Sequence, residues 1–145
     1  MALIDSMKKL HADNFAFYLK AHNYHWNIEG PDFKQYHSFL EEIYTLAWED
    51  ADAIAEQIRA LDAYAPGSLA RFKELTTIQE SEVIPGPLEM LQIIYNDLQL
   101  VLSSIMAAYN DANAENAIGL SNFLQDKYDA RKKLSWMLRA TLARK

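Results

Sequence analysis

The chain has 145 residues and a formal net charge of −6, and 50% of its residues are hydrophobic and 12% aromatic. This length corresponds to one domain, residues 1–145, and the composition excludes a disordered chain. Only four Gly and four Pro are present, which disfavours a sheet protein with many turns, and the absence of Cys excludes disulfides, thiolate metal sites and iron–sulfur clusters.

The N-terminal sequence lacks the charged region followed by an apolar run that is typical of a secretory signal. No stretch reaches the roughly 18 uninterrupted apolar residues of a membrane-spanning helix. We therefore expect a soluble, cytoplasmic protein.

Gly and Pro divide the chain into segments. They cluster at residues 30–31, 66–67 and 85–87, and the segments between them have 29, 34, 17 and 58 residues. Apolar residues recur at helical spacing in the long segments, and strand signals are absent. The long segments are therefore predicted to be helices, with most of their aromatic and Met side chains in a core.

The first helix is predicted from apolar residues spaced over residues 3–24, and the second helix over roughly residues 32–62. Ser68 is a typical capping residue and predicts a short helix over residues 69–75.

From Leu88 onward, apolar residues recur in steps of three and four as far as Tyr109, which predicts an amphipathic helix. The last segment is predicted to divide near residues 111–116, where small and polar residues cluster beside Gly119. Four long helices with a long central connection predict an all-α four-helix bundle, with a short extra helix between helices two and three.

The second helix carries two different faces. At about 100° per residue, its apolar positions fall within an arc of about 60°, which is expected to face the core. These positions are Tyr36, Leu40, Ile43, Ala47, Ile54, Ile58 and Leu61. A second face, centred about 140° away, carries two pairs of metal-ligand type, His37 with Glu41 and Asp52 with Glu56, and Trp48 lies between the pairs. A Trp at this position favours a surface that contacts a partner, and the alternative is a charged, solvated face.

Each pair has i,i+4 spacing, which places both side chains over one turn. The pairs are about 22 Å apart along the helix at 1.5 Å per residue, so one chain cannot bring both pairs to one metal ion. Two chains can, if their second helices cross antiparallel about a two-fold axis near residues 46–48. His37 and Glu41 of one chain would then meet Asp52 and Glu56 of the other, giving two equivalent sites per dimer.

His25 lies near the end of the first helix, just before the Gly30-Pro31 turn. An antiparallel hairpin brings its level close to that of His37, so His25 is predicted to join His37 and Glu41. His11 and His22 are interpreted as surface or capping residues.

Imidazole and carboxylate ligands without thiolate favour iron, manganese or zinc. Two His and three carboxylates suffice for one tightly held ion and a second, looser one, which suits oxidation of Fe(II) by a peroxide or dioxygen. Di-iron sites inside bundles use a Glu-x-x-His spacing, which this sequence does not contain. We therefore predict no di-iron centre inside the bundle.

These residues closely resemble the Dps family of miniferritins, the DNA-binding proteins from starved cells, over nearly the whole chain. The resemblance is carried by His25-Trp26-Asn27, Gly30-Pro31, Phe33, His37, Glu41, Tyr44, Asp52, Ile54-Ala55-Glu56, Ile58-Arg59-Ala60-Leu61, Pro66, Leu69 to Ile78-Gln79-Glu80, and Trp136-Met137-Leu138-Arg139-Ala140.

The resemblance implies a ferritin-like bundle, twelve subunits in a hollow shell, and ferroxidase centres at two-fold interfaces. Carried over to this chain, the catalytic and metal-binding residues are His25, His37 and Glu41 with Asp52 and Glu56 of the partner. The family preferentially uses hydrogen peroxide to oxidise Fe(II) and stores the ferric product as mineral, which suppresses hydroxyl radical formation. Trp26, Tyr44 and Trp48 are expected to pack at the interface, the alternative being that they absorb stray oxidising equivalents.

The sequence departs from the family pattern at several positions. The family usually has Asp in place of Glu41 and Arg in place of Gln57. An acidic iron-entry pore is not evident, because the matching stretch holds Ile118, Leu120 and Asn122. Glu115, Asp126 and Asp129 are candidate substitutes.

DNA binding is not expected. Family members that bind DNA commonly use flexible basic tails, whereas this chain offers about six residues before the first helix, followed by Lys8 and Lys9, and Arg139, Arg144 and Lys145 near its end. Twelve copies at −6 each carry about −72, which repels duplex DNA. Two other functions are considered as alternatives, a mainly DNA-compacting protein and a structural shell whose centre is degenerate because of Glu41.

Overall fold

The structure is a computed structural model and describes residues 1–143. Five helices and no strand occur within this range. The helices are α1 (Ala2–Asn27), α2 (Phe33–Ala60), α3 (Leu69–Leu75), α4 (Pro87–Ala114) and α5 (Ile118–Leu142). The helices α1, α2, α4 and α5 form a four-helix bundle in which α1 packs on α2 and α4, and α4 packs on α5. The predicted fold class, including the short helix in the central connection, is confirmed.

The helices end close to the predicted breakers. Ser68 caps α3, and its hydroxyl accepts a hydrogen bond from the amide of Arg71 at 3.2 Å. Pro87 begins α4, where its missing N–H costs no helical hydrogen bond. The last segment divides at residues 115–117, and Asn116 adopts φ 57° there. Helix α1 begins at Ala2, so the expectation of about six residues before it is wrong.

The predicted core face of α2 is buried. Leu40, Ile43, Ala47, Ile54 and Ile58 are all at most 2% exposed. The expectation for aromatic and Met residues fails in part, because all three Trp side chains are more than half exposed in the single chain, and Met137 is 36% exposed. Periodicity assigns a residue to a face, but large side chains at the edges of a face remain accessible.

Polar contacts fasten the central connection to α1. The carboxylate of Asp13 accepts hydrogen bonds from the Thr76 hydroxyl and the Thr77 amide, both at 2.7 Å. Further along α1, Lys20 donates a hydrogen bond to the carbonyl of Gln79 at 2.7 Å. The contacts of Asp13 satisfy a fully buried carboxylate that would otherwise be unpaired.

A second buried contact ties α2 to α5. The Asp50 carboxylate lies 2.9 Å from the guanidinium of Arg131, and Arg131 also donates to the side chain of Asn14 in α1. Asp50 and Arg131 are 3% and 2% exposed. This ion pair lies inside the bundle and fixes the position of α2, which carries the candidate site on its other face.

Helix α4 is long and apolar enough, by length and composition, to cross a membrane, but half of its apolar window is buried within the structure. Leu91, Ile94 and Leu98 are fully buried in the bundle core. Packing in the core therefore explains the apolar character of α4.

Candidate metal centre

The hairpin between α1 and α2 positions the candidate ligands. The turn uses two left-handed backbone positions, Gly30 at φ 118° and Asp32 at φ 63°, and the Gly30 carbonyl accepts the amide of Phe33 at 3.2 Å. This turn reverses the chain and brings the last turn of α1, with His25, beside the second turn of α2, with His37.

The two histidines hold each other through the backbone. The Nδ1 atom of His25 lies 2.8 Å from the carbonyl oxygen of His37, and Nδ1 of His37 lies 2.7 Å from the carbonyl oxygen of His25. Because a carbonyl only accepts, both Nδ1 atoms carry the proton. In this tautomer each Nε2 atom carries the lone pair through which a histidine binds a metal ion.

The geometry of the rings supports a shared site. The two imidazoles stack at 3.7 Å between centroids with an angle of 15°. Neither Nε2 atom has a hydrogen-bond partner among residues 1–143. His25 is 7% exposed, whereas His37 is half-buried, so the pair lies at the edge of the bundle.

Glu41, the third candidate ligand of the same chain, lies near His25. Its Oε1 atom lies 4.0 Å from Nε2 of His25, and its side chain is 61% exposed. The structure therefore places His25 beside His37, with the Glu41 carboxylate near His25. Two imidazoles and one carboxylate form a donor set that is typical of non-haem iron sites.

Asp52 and Glu56 are exposed on the same helix and lie away from this group. Their midpoint is about 22 Å along α2 from that of His37 and Glu41. Within the part of the chain that the structure describes, no three His, Asp or Glu side chains converge closely enough to hold a metal ion. The five candidate ligands are thus divided into two groups at opposite ends of one face.

Exposed Trp side chains mark this face. Trp48, between the two groups, is 58% exposed, and Trp26, at the end of α1, is 61% exposed. Large apolar side chains gathered on one surface favour a contact with another protein.

Sequence reasoning missed an aromatic cluster behind the histidines. His22 is half-buried and stacks on Tyr44 at 3.8 Å with an angle of 9°, and its Nδ1 atom lies 2.9 Å from the hydroxyl of Tyr18. Interpreting His22 as a surface or capping residue is therefore wrong. Burial lowers the pKa of His22, and His25 lowers it further. Burial raises the pKa of Tyr18, and Tyr44 raises it further. Both groups are therefore neutral near pH 7. The i,i+4 spacing of Tyr18 and His22 is the signal that would have found this pair.

His11 is also misassigned by sequence reasoning. It is 5% exposed, its Nε2 atom lies 3.0 Å from the carbonyl oxygen of Pro66, and its ring packs edge-on against Phe72. The sequence around His11 gives no indication of its burial, because its contacts come from a distant loop. His11 fastens the end of the α2–α3 connection to α1.

Comparison with known proteins agrees with this architecture. Residues 4–145 match the ferritin-like domain family. The chain is 30% identical to DNA protection during starvation protein 2 of Bacillus anthracis, over 97% of this chain and 96% of that protein. The crystal structure of antigen TpF1 from Treponema pallidum has a TM-score of 0.95 and 31% identity, covering 99% of this chain and 92% of that one.

A further solved structure describes the class more closely. The Dps protein of Vibrio cholerae O1 has a TM-score of 0.94 and 28% identity, covering 97% of this chain and 89% of that one, and it is described as a member of a broad superfamily of ferritin-like diiron-carboxylate proteins. The fold and the family match define a ferritin-like protein. The chain belongs to the Dps family within the ferritin-like proteins.

Proposed function

We propose that the chain is a ferroxidase that oxidises Fe(II) with hydrogen peroxide at centres shared between two subunits, and that it stores the ferric product as mineral in a shell of twelve subunits. The observation that carries this proposal is the arrangement of His25 and His37, whose mutual backbone hydrogen bonds leave both Nε2 atoms free beside Glu41. This donor set is incomplete within one chain, and the two carboxylates that could complete it lie at the other end of the same face.

The proposed two-fold contact between subunits follows from the division of the candidate ligands into two groups on one face of α2. If two α2 helices cross antiparallel near residues 46–48, Asp52 and Glu56 of one chain reach His25, His37 and Glu41 of the other. A two-fold axis forms this arrangement twice, so each dimer has two centres. The same contact covers Trp48, which accounts for its exposure in the single chain.

The proposed reaction consumes Fe(II) and peroxide as substrates. Two Fe(II) supply two electrons, and hydrogen peroxide with two protons yields two water molecules and two Fe(III). When both electrons arrive together, no hydroxyl radical is released. The protein residues would hold the substrate ions with two imidazoles and three carboxylates, and carboxylate ligands favour the more highly charged Fe(III). The biological role is protection against oxidative damage and iron storage in the cytoplasm.

Mixing two inactive variants tests whether the centre is shared. His37→Ala and Asp52→Ala are each expected to slow Fe(II) oxidation while leaving assembly intact, because each removes one ligand from every centre. When the two chains are refolded together, a mixed dimer contains one centre with all ligands and one that lacks both. Random pairing makes half of the dimers mixed, so about a quarter of the centres regain every ligand.

The measurement is the rate of ferric absorbance after anaerobic Fe(II) is mixed with peroxide. Recovery of about a quarter of the parental rate supports the two-chain centre, whereas no recovery on mixing, or a parental rate for Asp52→Ala alone, contradicts it. Glu42→Ala is the matched control, because Glu42 is an exposed carboxylate next to Glu41 that lies in a groove beside Trp136. If the parental protein shows no acceleration over buffer, the shell has a degenerate centre.

A mainly DNA-compacting function is not favoured by the charge. The net charge of −6 per chain repels phosphate, and Lys8 and Lys9 lie within α1 rather than in a preceding tail. Arg144 and Lys145 lie outside the described residues. A gel-shift at about 100 mM salt tests this point: an acidic shell leaves duplex DNA unshifted, whereas a binder that uses basic residues retards it.

A further inference from the structure

The exposed side of α4 carries no charge over most of its length. Between residues 90 and 110 the only charged residue is Asp97, which is 8% exposed and lies 2.6 Å from the ammonium of Lys20. At about 100° per residue, the exposed side chains of this stretch fall within an arc of about 120°, and we call this surface the α4 face. Its members are Gln92, Asn96, Leu100, Ser103, Met106, Ala107 and Asn110. An exposed face without charges favours a contact with another protein, because charged residues are depleted at the centres of such contacts.

The charges around the α4 face restrict its partner. Residues 74–126 contain no Lys, Arg or His, so nucleic acid or an anionic lipid surface finds no cation there. A basic partner finds no accessible carboxylate on the face, because Glu89 and Asp111 lie near the two ends of α4 and Asp97 is paired with Lys20. The α4 face therefore fits a protein surface that is itself uncharged.

The order of side chains on the α4 face is self-complementary. Gln92 and Asn110 are equally far from position 101, and Leu100 is next to that position. If two α4 helices lie antiparallel about a two-fold axis at residue 101, Gln92 of one copy meets Asn110 of the other. Each amide has a donor and an acceptor, so the two side chains can pair. The two Leu100 side chains then meet at the axis, as an isologous contact requires.

A contact between copies also explains why the α4 face lacks charge. The chain has a net charge of −6, so a self-contact through acidic residues would bring like charges together. Leu100 and Met106, which are 38% and 41% exposed, supply apolar area instead. The amide nitrogen of Gln92 donates to the amide oxygen of Asn96 at 3.0 Å, which leaves the other polar atom of each amide for a partner.

We propose that the α4 face docks antiparallel on the α4 face of a second copy of this chain. The contact is separate from the proposed α2 contact, because α4 packs on α1 and α5. A shell of twelve with tetrahedral symmetry has one two-fold contact per subunit, and that contact is assigned to α2. Docking through α4 therefore joins subunits of different shells, and this step rests on the shell in the proposed function. A contact along one helix is small, below about 1,200 Å² in total, so it is reversible.

Cross-linking tests the register of the contact, because the chain has no Cys and an introduced Cys is its only thiol. Assembled shells of Leu100→Cys, Gln92→Cys and Asn110→Cys are treated with a short bis-maleimide and analysed on denaturing gels. We expect Leu100→Cys to form linked chain pairs by itself. Gln92→Cys alone is the matched control and stays unlinked, because the two Gln92 positions are about 27 Å apart along antiparallel helices. Mixing assembled Gln92→Cys and Asn110→Cys shells, without refolding, restores the link.

A charge at the axis tests the contact without a cross-linker. Leu100→Asp places two like charges together, whereas the control Ser81→Asp adds the same charge at an exposed position in the connection before α4. Sedimentation velocity at several concentrations is expected to show a species larger than the shell that grows with concentration in the parental protein and in Ser81→Asp. This species is lost in Leu100→Asp, and the rate of Fe(II) oxidation stays at the parental value.

The outcomes separate this inference from the proposed function. Self-linking of Gln92→Cys, mixed shells that stay unlinked, or a larger species that survives Leu100→Asp overturns the docking of α4 on α4. Coverage of the face by a different protein also leaves these shells unlinked and has the same consequence. Normal shells that oxidise Fe(II) without any link overturn only the α4 contact. Linking of Leu100→Cys in a protein that forms no shell supports the α4 contact and overturns the proposed shell.

Discussion

Removing the carboxylate of Asp50 is expected to destabilise the bundle strongly, although Asp50 lies on the opposite side of α2 from the candidate ligands. The Asp50 carboxylate lies 2.9 Å from the guanidinium of Arg131 and 3.0 Å from the ammonium of Lys127. Burial lowers the pKa of Arg131, and the negative charge of Asp50 opposes that effect. In Asp50→Ala, the guanidinium stays buried without its counter-ion.

The size of the effect follows from burial. Breaking a buried ion pair by removing one partner costs about 3–5 kcal/mol, because the remaining charge is uncompensated. In the double variant Asp50→Leu/Arg131→Met both charges are gone, and replacing a whole pair by apolar groups is often close to neutral. The amide oxygen of Asn14 then loses the donor that Arg131 provided, which costs about 1–3 kcal/mol. The double variant is therefore expected to be more stable than Asp50→Ala.

Guanidinium unfolding at one fixed protein concentration measures the difference, because oligomer stability depends on concentration. With a slope of about 4 kcal/mol per M, the midpoint of Asp50→Ala falls by about 1 M. Lys127→Ala is the control, since the Lys127 side chain is 24% exposed and its ion pair contributes about 1 kcal/mol or less. A loss within about 1 kcal/mol for Asp50→Ala, or a double variant as unstable as the single one, would refute the reasoning.

Two further predictions concern the turn before α2 and the buried histidine of α1. Gly30→Ala places a side chain at φ 118°, which should lower the unfolding free energy by about 1–3 kcal/mol and weaken Fe(II) binding by shifting His25 from His37. The control Gly67→Ala, where an added Cβ meets nothing within 4 Å, should change the unfolding free energy little. Equal effects of the two variants in calorimetry and Fe(II) titration would contradict this prediction. Burial lowers the pKa of His11 below 6.5 in the folded chain, so the unfolded chain binds the proton more readily. The stability that neutral His11 contributes above pH 6.5 is therefore lost as the pH falls through the pKa of the folded state. His11→Gln should therefore show a smaller loss of unfolding free energy than the parental protein below pH 6.5, and parallel pH profiles would exclude His11 as the cause.

Local sequence determined the helices and the two faces of α2. Ser68 and the residues after it specify α3 at the predicted residues 69–75, and the small polar stretch before Gly119 specifies the break between α4 and α5. Helical periodicity also places His37 and Glu41 on the face opposite Leu40 and Ile43. These features depend on neighbours within a few residues, and for that reason a single sequence reveals them.

The tertiary structure decided which atoms meet across helices. The tautomer of His25 and His37 depends on a hairpin that brings each Nδ1 to the carbonyl of the other residue. The pairing of Asp50 with Arg131 joins residues 81 positions apart, and the residue pattern around each of them does not indicate the other as its partner. The union of Asp52 and Glu56 with the histidines stays a prediction, because it requires a second chain. Contacts between distant segments depend on how complete helices pack, and side-chain spacing within one helix does not encode that packing.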